Sequence, residues 1–386
     1  MHLQRLHIDG LRNISAADLE LGAGFNYLYG DNGAGKTAIL EAVHVLARGR
    51  SFRSNSLERL VNKEPGSLLV RAEVSNRSGT HRLGFARTDA KNQYRIDGQH
   101  ADGFARLAGQ IAVQTLLPDA SDLVYGSPGE RRRFLDWGLF HVKHDHLSLA
   151  RQYNRALMQR NAWLKSQESS GATWQEDPWV ESVVDHGLQL NKHRSEYVQR
   201  LQQPFRESLS ALSVGIDLAL AYGWGGLQDE AESRKKMSES FARDVKFGAT
   251  QRGPHRADLL VTAQGAGSPN GVDPSDGSSQ TAKIGGAKAS EILSRGQAKI
   301  AASALVLAQV ELQRQEIGEN SIVLIDDFGA ELDAEHWRRF LSTLERLDCQ
   351  VIATSTEAPG NLGWLEQIKC DVFHVEQGKV GAESSS

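Results

Sequence analysis

Gly30-Asp31-Asn32-Gly33-Ala34-Gly35-Lys36-Thr37 is the stretch on which the reading of this chain turns. It fits the pattern G-x-x-x-x-G-K-[ST]. The β-prone run Phe25-Asn26-Tyr27-Leu28-Tyr29 precedes it, and apolar residues at Ile39, Leu40, Val43 and Leu46 follow it at helical spacing. Strand, glycine-rich turn and helix in this order make a phosphate cradle. Glycines let the backbone wrap the anion with its N–H groups inward, and the helix N-terminus adds a favourable field. Lys36 can reach the β- and γ-phosphates, and the Thr37 hydroxyl can ligate Mg2+. The stretch predicts an ATP site with Mg2+ as its metal.

Two further segments complete the pattern. Ile322-Val323-Leu324-Ile325-Asp326-Asp327 is an apolar strand ending in two acids. Asp326 is placed to hold Mg2+, and Asp327 to position or deprotonate the attacking water. Leu293-Ser294-Arg295-Gly296-Gln297 precedes an alanine-rich helical run. Ser294 and Gly296 therefore stand at a helix N-terminus, a second place for an anion, although a serine there also reads as a plain N-cap.

The rest of the chain falls into three parts. Residues 1–125 and 250–386 read as strands with a few helices, and 126–249 as a helical lobe. Leu68–Val74, Tyr94–Gly98 and Gln350–Ala353 look like strands, and 331–347 like a helix. The apolar runs suit a parallel sheet covered on both faces. The expected fold is α/β, a P-loop ATPase head assembled from both ends of the chain with an inserted helical lobe. Residues 264–287 hold six Gly and four Ser with almost nothing to bury, and read as a flexible surface loop.

Composition excludes several classes. The chain has 386 residues, 40% hydrophobic and 24% charged, with no run of about 20 apolar residues to cross a bilayer. The opening MHLQRLHIDG lacks the apolar segment of a signal peptide, and two cysteines, Cys349 and Cys370, cannot form a disulfide framework or a four-cysteine zinc site. A cytoplasmic location is expected. Net charge is −4, yet residues 126–165 carry eight Lys or Arg against three acids, a local +5. Such a segment is either a solvated helix face or a phosphate-contacting surface.

The order of phosphate loop, LSxGQ, acidic strand and Glu331-Leu332-Asp333 resembles the ABC-type ATPases. The large helical insertion resembles their chromosome-maintenance and repair branch. Within it, the chain resembles the RecF family of bacterial recombination proteins. The matching stretches are Leu11-Arg12-Asn13, Gly30–Thr37, Ile96-Asp97-Gly98, Gly126-Ser127-Pro128, Arg131–Asp136, Gln159-Arg160-Asn161, Gly253–Asp258, Leu293–Gln297 and Asp326–Asp333.

That resemblance implies a weak ATPase of gap repair and fork maintenance within the SOS response. It implies a homodimer that closes on ATP, with each nucleotide held between one subunit's phosphate loop, helped by Arg12 and Asn13, and the other's Ser294, Gly296 and Gln297. It further implies binding to duplex and single-strand/duplex junctions, and work with RecR and RecO to load RecA. Gln114, before Leu116-Leu117-Pro118-Asp119, is implied as a catalytic residue sensing Mg2+ and the attacking water. At the switch position, where transporters carry His, this chain reads Thr354-Ser355-Thr356, and His255 is a candidate replacement, a structural residue, or a DNA or nucleotide contact. The resemblance turns the basic segment toward DNA, with Arg131, Arg132, Arg151, Arg155 and Arg160 as contacts. A transporter ATPase subunit and a chromosome-structuring ATPase with long arms are the competing readings. About 125 helical residues are too few for long arms, and the basic insertion and absent switch His disfavour the transporter.

Overall fold

The computed structural model describes residues 1–54, 56–62, 66–89, 91–167, 173–212, 215, 217–263, 287–329, 333–362 and 368–383. The glycine- and serine-rich segment lies outside these apart from Ala287, as do Glu331 and Leu332.

In chain order the elements are β1 (His2–Leu11), β2 (Ile14–Glu20), β3 (Phe25–Tyr29), α1 (Lys36–Arg48), β4 (Leu68–Asn76), β5 (Gly79–Thr88), β6 (Lys91–Ile96), β7 (Gln99–His100), α2 (Phe104–Ala108) and β8 (Val113–Leu116). Then come α3 (Asp122–Tyr125), α4 (Pro128–Val142), α5 (His146–Ser166), α6 (Val180–Ala211), β9 (Leu218–Gly223), α7 (Glu230–Phe247), β10 (Asp258–Ala263), α8 (Ala289–Ile292) and α9 (Arg295–Ile317). The last are β11 (Ile322–Ile325), α10 (Ala334–Arg346), β12 (Val351–Ser355), β13 (Cys370–Glu376) and β14 (Lys379–Glu383). None of the described helices is long and apolar enough to cross a membrane.

Two compact units result, one of residues 1–120 with 303–386 and one of residues 121–302. The first unit holds two sheets. One has the order β14-β13-β3-β12-β11-β8 and is parallel except for the β13–β14 hairpin. The other is antiparallel, β2-β1-β4-β5-β6-β7. Strands β11 and β12 are buried throughout, as parallel strands covered on both faces must be. Helix α1 touches strands of both sheets, and its Ile39, Leu40, Val43 and Leu46 are fully buried. Its ends are set by glycines: Gly35 has φ 115°, and Gly49, in the left-handed region, returns its N–H to the Val45 carbonyl.

The second unit is built on α4–α7, with α6 running 32 residues. Its core includes Leu149, Tyr153, Val183, Val184, Leu227 and Met237. It also contains an antiparallel pair, β9 and β10. Here the structure divides the chain differently from the sequence reading, which assigned 250–302 to the head. Strand β10 pairs with β9 in the lobe, and Arg131 of α4 clasps Asp258 at its start with bonds of 2.7 and 2.9 Å.

Candidate functional site

The phosphate loop lies at the C-terminal end of β3, which sits between β12 and β13 in the parallel sheet. Gly30 follows directly, with φ 152° and backbone packed so close to β13 that a Cβ would lie 2.1 Å from the Val375 carbonyl oxygen. No side chain fits there. Lys36 begins α1 and folds back over the loop, donating to the Gly30 and Asp31 carbonyls at 2.7 and 2.8 Å. Burial lowers its pKa, and the Asp326, Asp327 and Asp31 carboxylates pull the other way.

Asp326 follows the last residue of β11, and its backbone N–H donates to the Leu116 carbonyl at 3.1 Å. Its Oδ1 accepts from the Thr37 hydroxyl at 2.9 Å and from the Thr354 hydroxyl at 2.7 Å. The Asp327 N–H donates to the Thr354 Oγ1 at 3.1 Å, and Asp327 itself stands in the left-handed region, φ 57°. Residues from α1, β11 and β12 thus converge on one carboxylate. Hydroxyl and carboxylate oxygens are the donors that Mg2+ prefers, so Thr37 and Asp326 fit such a cation.

These groups line a cavity of about 660 Å³, with Asn32, Gly33 and Gly35 on its wall. Ala34 is buried in the loop, and its carbonyl accepts from Gly378 at 2.8 Å. Arg12 and Asn13 line the same cavity. Asn13 donates to the Gly33 carbonyl at 2.8 Å and so braces the loop. Arg12 is bound side-on to buried Glu41, one bond measuring 2.8 Å, and Ser51 donates to the same carboxylate.

Phe52, Arg53 and Asp119 also line the cavity, and sequence reasoning missed all three. Phe52 and Arg53 come from the turn after α1. The available signal was the Arg50-Ser51-Phe52-Arg53 run so soon after the phosphate loop.

Gln114 requires a correction. It lies inside β8, level with Val323 of β11, two residues short of the strand end. Its side chain is 2% exposed, and its Oε1 faces the Arg48 guanidinium at 3.4 Å. It is not part of the cavity wall. Alternation and register turn it into the sheet.

His255 lies in the second unit and is structural. Its Nδ1 pairs with the Tyr153 hydroxyl at 2.6 Å and its Nε2 with the Thr250 carbonyl at 2.9 Å, and burial pulls its pKa down to about 4. Ser294, Gly296 and Gln297 also belong to this unit. The Gln297 N–H donates to the Ser294 Oγ at 3.3 Å while the Ser294 N–H donates to the Gln297 Oε1 at 2.9 Å, a reciprocal capping box that starts α9. Ser294 and Gly296 are exposed, so this helix end is open to a ligand.

The five arginines assigned to DNA separate into two groups. Arg160 is fully buried, donating to Asp177 at 2.7 Å, Asp244 at 2.8 Å and Thr250 at 2.8 Å. Arg131 is buried on Asp258 and also donates to the Gly126 carbonyl at 2.7 Å. Neither can offer its charge to a phosphate, so both are structural where the sequence reading expected DNA contacts. Arg132, half-buried, donates to the Ala257 carbonyl at 2.7 Å. Arg151 and Arg155 are exposed on α5, a helix without a single acidic residue.

A family model described as the RecF/RecN/SMC N terminal domain matches residues 2–378. A Pseudomonas putida protein named DNA replication and repair protein RecF is 35% identical over 386 residues, covering 98% of each chain. A Chromohalobacter salexigens protein of the same name is 36% identical over 393 residues, covering 99% of this chain and all of its own. Among solved structures, one described as the recombination mediator protein RecF-ATP in the RecFOR pathway superimposes with a TM-score of 0.83 at 23% identity, covering 99% of this chain and 98% of that one. An Smc head bound to a winged-helix domain of ScpA gives 0.55 at 15%, covering 100% and 98%, so the shared fold extends beyond close relatives.

Proposed function

Because this chain belongs to the RecF/RecN/SMC family, and within it to the RecF proteins of DNA replication and repair, we propose that it is an ATP-driven DNA-binding protein of recombinational gap repair. The observation that carries the nucleotide part is the convergence of Thr37, Asp326 and Thr354 at the mouth of the phosphate loop, with Thr37 and Asp326 alone 289 residues apart. Lys36 and the loop N–H groups bind the β- and γ-phosphates. Thr37 and Asp326 hold Mg2+, which neutralises phosphate charge when bound. Asp327 orients the attacking water and accepts its proton. Thr354 fixes the Asp326 carboxylate and the Asp327 backbone together, a role that needs no histidine.

One subunit's cavity leaves the γ-phosphate side for a second copy to cover. The exposed capped start of α9, with Ser294, Gly296 and Gln297, is the surface we assign to that task. ATP then joins two subunits and hydrolysis separates them. DNA contact falls to the exposed Arg151 and Arg155 of α5. RecR and RecO as partners, RecA loading and a cytoplasmic location belong to the same proposal, and the RecFOR pathway named for the solved relatives supports the partner part of it.

Two tests address the two halves of this reading. Asp327→Asn keeps the size of the side chain and removes its basicity. Turnover is expected to fall roughly a hundredfold to a thousandfold, with ATP binding and dimerisation retained in sedimentation. Turnover near that of the parent would assign the water to another residue.

Arg151→Glu with Arg155→Glu is expected to weaken DNA binding for every sequence, because phosphates carry no base code. The log–log salt slope should flatten by roughly 0.9 for each phosphate that the variant no longer neutralises. ATP affinity and melting temperature should not move. An unaltered slope would place the DNA surface elsewhere.

A further inference from the structure

Arg151, Met158 and Lys165 follow one another at intervals of seven along α5, so all three lie on the same side of the helix, over about 21 Å of its length. Each is exposed, and Arg155 stands one turn from Arg151 on that side. The strip then meets the end of α7. The Lys165 stem lies against Gly248, so close that a Cβ there would sit 2.7 Å from the lysine Cγ. Gly248, with φ 57°, closes α7 in the left-handed region, and Phe247 directly before it is exposed. The Arg243 guanidinium lies over the Phe247 ring, 5.8 Å from its centroid, and Lys246 is exposed beside it.

Two properties of this strip point to its partner. The first is charge. Helix α5 has no acid, and the acids of α7 are taken: Glu230 by Arg234, Glu232 by Lys236, Glu239 by Lys235, and Asp244 by buried Arg160. On the segment before α6, Asp177 is buried on the same arginine and Glu176 accepts from Thr173. Arg151, Arg155, Lys165 and Lys246 make no ion pair among the described residues. The second property is apolar. Met158 and Phe247, 70% and 58% exposed, are the most exposed large hydrophobic side chains among the described residues. Apolar groups set among free cations match a polyanion that also shows flat apolar faces. A duplex offers phosphates but stacks its bases inside. A single strand offers both, and its bases stack on an aromatic ring whatever their sequence. An arginine against the same ring adds to its attraction for a base.

We propose that the face of α5 from Met158 to Lys165, with Arg243, Lys246 and Phe247 of α7, binds single-stranded DNA. The cations take phosphates, and Phe247, with Met158, carries bases. The proposal rests on the DNA reading of Arg151 and Arg155, and extends it by naming the single strand as the occupant of the far end of their strip.

The test is fluorescence anisotropy with the full chain, Mg2+ and the non-hydrolysable analogue AMP-PNP. The probes are a labelled oligothymidylate of about 12 nucleotides and a blunt duplex of equal length. Phe247→Ala is expected to weaken oligothymidylate binding roughly fivefold to a hundredfold, with duplex affinity and melting temperature unmoved. Phe247→Tyr should restore it, because the ring supplies the platform. Loss of the ring should leave the salt slope alone, whereas Lys165→Gln with Lys246→Gln should flatten the single-strand slope by roughly 0.7 for each phosphate no longer neutralised. Undiminished oligothymidylate binding in Phe247→Ala, with duplex binding intact in the parent, would overturn this proposal alone. Equal losses on single strand and duplex would overturn it as well, since the strip would then be a plain phosphate surface. Polyglutamate binding that falls with Phe247→Ala as far as oligothymidylate binding does would assign the strip to an acidic protein segment instead. A parent chain that binds neither DNA would remove the underlying DNA reading and this proposal with it.

Discussion

Lys36→Ala is expected to lower ATP affinity roughly a hundredfold to a thousandfold, and to abolish dimer formation at ordinary nucleotide concentrations. In this structure the ammonium donates to the Gly30 and Asp31 carbonyls, so it is held over the inside of the loop before a ligand arrives. Partial burial raises the strength of any bond it makes to phosphate. Charge-assisted hydrogen bonds are worth about 1.5–3 kcal/mol each, and two of them account for the expected loss. The glycine-shaped backbone and Thr37 remain, so some binding survives. Calorimetric titration with ATP and Mg2+ measures the change, and circular dichroism checks the fold. An affinity within about threefold of the parent would mean that this loop does not hold the triphosphate.

The second large effect is on stability. Arg160→Ala should cost about 3–5 kcal/mol in the lobe, on the order of 10 °C in melting temperature. Arg160 joins α5 to Asp244 of α7, to Asp177 before α6 and to Thr250 after α7, and all three charged side chains are fully buried. Removing the guanidinium strands two carboxylates away from water. Burial already raises the pKa of Asp244, with Arg160 opposing that shift. The cost comes from the unpaired charges left behind, which is why replacement by an apolar residue does not relieve it. The comparison is thermal unfolding against Arg155→Ala, whose exposed side chain makes no ion pair among the described residues and which should melt with the parent. If Arg160→Ala melts there too, the cluster is not what holds these segments.

The contrast between Arg155 and Arg160 shows where reading the sequence stopped. Both fall in the same +5 segment, and charge counting treats them alike. Their fates are set by Asp244, 84 residues from Arg160, and by which side of α5 each occupies. Gln114 failed for a related reason. Periodicity finds the strand, but which residue of this segment reaches the cavity depends on register with β11 and on the turn at Pro118. Residues 250–386 read together as strands and helices of the head, and nothing local says that β10 pairs in the lobe instead. The phosphate loop was legible because its demands are local: glycine where backbone meets backbone, lysine and threonine at the first turn of a helix. Asp326 was legible because an apolar strand buried on both faces must end somewhere polar. Thr354 as its second hydroxyl donor was not, because that pairing exists only once β12 lies beside β11.

The placement of β3 bears on how the protein is made. Asn26 of β3 bonds to the Val351 carbonyl of β12, 325 residues later, and β13 flanks the strand from the other side. A ribosome adding about 5–20 residues per second leaves both partners of this strand unmade for on the order of tens of seconds after β3 emerges. During that interval Phe25, Tyr27 and Leu28 have no sheet to enter. Nascent chains stalled in the lobe are therefore expected to engage chaperones through this segment and to retain no ATP, while those extended past β13 should do the reverse.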